Sequence, residues 1–145
     1  MLAPDVAHGW LYAGGASFGA TQSLLRVDLA AGSVDSAWKP TAPNFPEGSV
    51  HGISGTEASG DVIVGSAVFG DGVPGILQKV SGSGIGTVDA SWAPSADSSI
   101  NTLVGDHTGK IYVGGGFTAL NAQPRRGFAA FGDPEVIFAD AFEGF

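Results

Sequence analysis

One block of sequence recurs three times along this chain: GWLYAGGASF from Gly9, GDVIVGSAVF from Gly60 and GKIYVGGGF from Gly109. The copies start 51 and 49 residues apart. Two further columns keep step with them. Val50-His51-Gly52-Ile53 precedes the second copy and Ile100-Asn101-Thr102-Leu103 the third, at an offset of 50, each read as a leading strand. SVDSAWKP, Ser33 to Pro40, and TVDASWAP, Thr87 to Pro94, follow the first two copies and align Val, Asp, Trp and Pro at an offset of 54. Between these lie LLRVDL (Leu24 to Leu29), ILQKV (Ile76 to Val80) and FAAF (Phe128 to Phe131), each a further short apolar strand.

One unit is therefore about four short strands in about 50 residues, separated by Gly, Asp, Ser and Pro turn signals. No segment shows sustained helical periodicity. Four-stranded units repeating every 40–50 residues or so are the sequence mark of propeller blades, small sheets stacked radially around a channel. The expected architecture is all-β: a partial β-propeller of roughly three four-stranded blades, the first and last incomplete. Blade 1 spans 1–47 and lacks its first strand, because the position matching Val50 falls before residue 1; blade 2 spans 48–97, an incomplete blade 3 spans 98–133, and a C-terminal tail spans 134–145.

The glycines have a physical reading. Where strands of neighbouring blades converge, a missing Cβ admits close backbone approach or a bulge, which marks Gly14, Gly65 and Gly114 as packing positions. The next aromatics, Phe18, Phe69 and Phe117, come four, four and three residues later, so a bulge is expected in two copies and not in the third. Trp38 and Trp92, each with a proline two residues on, read as blade-to-blade packing residues followed by a strand stop.

At these residues the chain resembles the delta-60, or DUF5122-type, β-propeller repeats of large and mostly exported bacterial proteins. Their pattern runs G-K-[IL]-[YL]-V-G-G-x-F, then N-G-x-x-R, then a short apolar strand, then [LV]-D-x-S-[FW]-x-P. Gly109 to Phe117 match the first block, Asn121 and Arg125 the second with Ala122 in place of the family glycine, and Val88 to Pro94 the last. The resemblance covers the chain to about Asp133 and implies a fold and an extracellular or cell-envelope location; the family carries no assigned reaction. The third copy departs by running GDPEVIFADAFEGF in place of the last block. That ending resembles the I-F-x-D-G-F-E termini of some exported bacterial proteins, with Ala141 for the glycine; an apolar final strand with a loose aromatic end explains it as well. Closed propellers use about four to eight blades, so either further blades or self-association is expected to complete the stack.

Composition removes several classes of function. The chain has 145 residues, only six Lys or Arg and a net charge of −8, so no basic patch can be assembled for nucleic acid. Its longest uncharged apolar run, VIVGSAVFG between Asp61 and Asp71, has nine residues, where a bilayer-spanning helix needs about 20; no membrane insertion is expected. MLAPDVAHGW shows neither the basic nor the apolar region of a signal peptide. Zero cysteines exclude disulfides, thiol catalysis and Cys-ligated metals, and there is no N-x-[ST] sequon.

Candidates for chemistry each have a structural explanation. His8, His51 and His107 share no column and no metal-ligand spacing, although imidazole could serve as base or ligand. Asp35 and Asp89 could be imagined as an acid–base pair, but equivalent positions in successive blades are better read as turn caps, as is Asp28. Scattered acids leave calcium open, without the D-x-[DN]-x-[DN]-G loop. SGSGIG, Ser81 to Gly86, has the glycines of a phosphate loop but is followed by a strand, so it reads as a flexible hairpin. Arg125 and Arg126 form the only adjacent basic pair, a solvated turn by default and an anion site otherwise. Tyr12 and Tyr112 could stack a sugar, yet Ile63 fills their column in the middle copy and favours core packing.

No catalytic, cofactor-binding or metal-binding residue is assigned. The expected function is a non-catalytic propeller segment of an exported bacterial protein, presenting a binding face for a protein or carbohydrate or acting as a structural scaffold. The alternative is a glycan-acting hydrolase or lyase whose acids converge at a channel mouth completed by missing blades or by a partner chain.

Overall fold

The computed structural model describes residues 1–15, 23–40, 49–54, 60–67, 74–105, 110–132 and 136–137. All regular structure in them is β, arranged in three antiparallel sheets, none of which closes on itself. The first sheet has the order β1 (Leu2–Asp5), β2 (Trp10–Gly14), β3 (Leu24–Asp28), β4 (Ser33–Val34). The second contains β5 (Ser49–Ser54), β6 (Val62–Ala67), β7 (Gly75–Val80) and β8 (Ser95–Ala96). In the third, β9 (Ile100–Gly105) pairs with β10 (Ile111–Gly115). A hairpin of β11 (Ala119–Leu120) and β12 (Gln123–Pro124) then leaves it to extend the second sheet, with Leu120 opposite Ala96. The chain returns as β13 (Phe128–Gly132) beside β10 and ends in β14 (Val136–Ile137).

The three repeated blocks thus lie in three separate sheets, as the second strand of each, and their registers are equivalent. Ala13 faces Leu2, Val64 faces Ile53 and Val113 faces Leu103. Gly9 and Gly60, which open the first two copies, share a left-handed φ of 76°; Gly109 lies outside the described residues.

Two expectations are corrected. The first unit does have a leading strand, the short β1, paired with β2 from Leu2↔Ala13 to Asp5↔Trp10. Pro4 conceals it in the sequence, but an edge strand tolerates a residue without an N–H. The third unit is not short of a strand, because Val136–Ile137, placed above in the tail, pairs with β13. A bulge does occur in the leading strands. Ser66 pairs with Val50 and Gly65 with Gly52, leaving His51 extra; Gly115 pairs with Ile100 and Gly114 with Thr102, leaving Asn101 extra. His51 and Asn101 are equivalent, so one bulge in the leading strand recurs in the second and third units, where a polar residue can sit outside the ladder. The predicted corner bulge before Phe18 and Phe69 lies outside the described residues.

Two cores hold the units together. One gathers Tyr12, Leu24 and Trp38 of the first unit with Val50, Ile53, Val62 and Val64 of the second. The other gathers Ile63, Leu77 and Trp92 of the second with Ile100, Leu103, Ile111 and Val113 of the third. The middle sheet is covered on both faces, which is why its strand reads Val62-Ile63-Val64 with no polar alternation. Both junctions use the same device. A Cβ on Gly14 would lie 2.6 Å from Val50 Cγ1, and one on Gly65 would lie 2.7 Å from Ile100 Cγ2. Val50 and Ile100 are equivalent, so each glycine is the socket for a β-branched residue of the following unit.

Candidate functional site

A cluster of polar side chains lies where the first unit meets the second. Antiparallel register puts Arg26 of β3 opposite Tyr12 of β2, on the face turned toward the second unit. Arg26 is 6% exposed, its guanidinium carbon 4.0 Å from the Trp10 ring centroid and 5.3 Å from that of Trp38. Both rings are within the reach of a cation–π attraction. The guanidinium fork donates through Nη2 to the Asp35 carboxylate and through Nη1 to the Gly82 carbonyl. It therefore bridges its own unit to the turn after β7.

That turn is the SGSGIG segment. Trp38 Nε1 donates to the Ser81 carbonyl at 3.0 Å, and the Lys39 amide to that of Ile85 at 2.9 Å. A Cβ on Gly82 would lie 1.7 Å from the Gly60 carbonyl oxygen and 3.0 Å from the Tyr12 hydroxyl. Gly82, together with Gly86, whose Cβ would lie 2.8 Å from Trp38 Nε1, serves close packing between units, whereas Gly84 lies open with a left-handed φ of 57°.

Tyr12 is fully buried, and its hydroxyl has no hydrogen-bond partner among the described residues. Burial raises its pKa; Arg26, near but outside hydrogen-bond geometry, opposes the rise, while Asp5 and Asp61 add to it. The phenol stays protonated. Beside this cluster, His8 Nδ1 lies 2.9 Å from both carboxylate oxygens of Asp5 and donates to them. The Asp5 side chain is 4% exposed and that of His8 41%, so the second imidazole nitrogen belongs to a half-exposed ring.

The remaining candidates, Asp35 excepted, sit apart. Asp35 accepts the Ala37 amide and Asp89 the Ser91 amide, both at 2.9 Å, so the two equivalent aspartates build the same turn, as expected. The Arg26 fork is the first cause holding the Asp35 carboxyl below the usual range; for Asp89 it is the Ser91 hydroxyl. Asp28 accepts the amides of Ala30 and Ala31. Arg125 is engaged by the Pro124 carbonyl, and Arg126 is exposed. Tyr112 is half-buried and stacks on Phe128 with centroids 6.2 Å apart. His51 occupies its bulge, while His107 lies outside the described residues. Among the described residues no three His, Asp or Glu side chains gather as a metal site.

Sequence reading missed Asp97. Its carboxylate accepts the Thr118 and Ala119 amides and the Thr118 hydroxyl, and so fastens the β11–β12 hairpin onto the second sheet. The Thr118 hydroxyl is the first cause of its lowered pKa. Asp5, which holds His8 three residues on, was missed, as were Arg26 and the docking role of Ser81 and Gly82, which depend on contacts between units. No protein-family model, curated protein or solved structure matches the chain.

Proposed function

We propose that the chain is a run of β-propeller blades of the delta-60 type that serves an exported bacterial protein as a non-catalytic scaffold and presents its loops to a protein or carbohydrate ligand. The observation that carries this reading is the repeated junction. Val50 on Gly14 and Ile100 on Gly65 join two four-stranded sheets to the six-stranded sheet between them by one rule, as expected of packed blades. The polar groups support it too, because Asp28, Asp35, Asp89 and Asp97 are engaged in turns and hairpins and Arg26 in a junction. A glycan array run beside a polysaccharide turnover screen tests the reading: binding without turnover is expected.

The alternative, a glycan-acting hydrolase or lyase, draws on the Asp5–His8 pair, in which a buried carboxylate orients a half-exposed imidazole that could take a proton. Turnover that disappears in His8→Ala while folding persists would establish it and overturn the scaffold reading.

A further inference from the structure

We draw no further inference here: the strongest candidate, the half-exposed His8 imidazole held by the buried Asp5 carboxylate beside Gly60 where the first unit meets the second, belongs to the site already described, and the groups around it, Trp10, Arg26 and Asp35, are engaged with one another.

Discussion

Gly65→Ala isolates the device that joins the units. The new methyl would lie 2.7 Å from Ile100 Cγ2, 3.5 Å from Leu77 Cδ2 and 3.6 Å from Ile100 Cβ, so one atom makes nearly the whole clash. Ile100 is fully buried and sits where β9 bulges, so it cannot swing into solvent. Overpacking of this kind costs about 1–3 kcal/mol. Against it stands the gain of about 0.5–1 kcal/mol from replacing glycine inside a strand, since the backbone of Gly65 is not left-handed. The net expectation is a loss of about 1–2 kcal/mol, read as a lower urea midpoint at unchanged slope. Ile100→Leu removes the offending Cγ2 at nearly constant volume, so the double variant should recover part of the loss, with a coupling of at least about 0.5 kcal/mol. Gly116→Ala is the control. It is exposed, its methyl would meet only serine hydroxyls at 3.3 Å and 3.5 Å, and a change within about 0.5 kcal/mol is expected. A Gly65→Ala protein as stable as the native one, or a double variant with no coupling, would refute the socket argument.

The other predictions concern turns and junctions. Asn121 and Ala122 form the two-residue loop between β11 and β12 with φ of 49° and 62°; Ala122→Gly removes a left-handed alanine and should raise the urea midpoint by about 0.5–1 kcal/mol of stability, whereas a fall would contradict it. Arg26→Lys keeps the charge but not the planar fork, leaving the Gly82 carbonyl or Asp35 unserved; a loss of about 1–3 kcal/mol and an altered tryptophan fluorescence spectrum are expected, and unchanged unfolding and emission would count against the junction role. Asp35, Asp89 and Asp97 all have folded pKa values below their unfolded ones. Their contribution is thus complete above the unfolded carboxylate value and is lost as pH falls through the lower, folded values. Urea midpoints measured downward from about pH 6 should fall below about pH 4, and less steeply in Asp97→Asn; equal slopes in the two proteins would remove Asp97 from the account.

The repeat was legible because the three units reuse backbone positions that only certain residues satisfy. Glycine at 14 and 65, the aspartate turns at 35 and 89 and the tryptophans at 38 and 92 stand at sites where the structure repeats a contact. What the sequence concealed depends on partners far along the chain. Asp97 reaches Thr118 across a separation of 21 residues, and Arg26 reaches Gly82 across 56. Neither spacing has a pattern to detect. The SGSGIG turn shows the same limit from the other side: its composition announces backbone freedom, but that this freedom lets Gly82 press against Gly60 follows only from the stacking. Ala122 was visible as a departure from the resembling pattern, and its strained φ gives that departure a physical meaning.

Equivalent positions also show how one junction differs from another. Arg26, Lys79 and Ala130 occupy the same place, each opposite the central residue of the second strand, Tyr12, Ile63 or Tyr112. At the first junction Arg26 lies between two indoles and fastens the following unit through Gly82. Lys79 instead pairs with Asp61 of its own sheet at 3.5 Å, and both side chains are part-exposed, so the second junction is made chiefly of apolar contacts. Ala130 supplies no polar group. The backbone rule of glycine socket and β-branched knob is therefore common to the two junctions, while the Arg26 fork stands at the first and the Asp97–Thr118 contact at the second. A buried polar contact that must find its partner to avoid a desolvation cost is a way of fixing which face meets which. In this chain Arg26 ties the first unit to the second, and Asp97 ties the hairpin of the third unit to the second sheet.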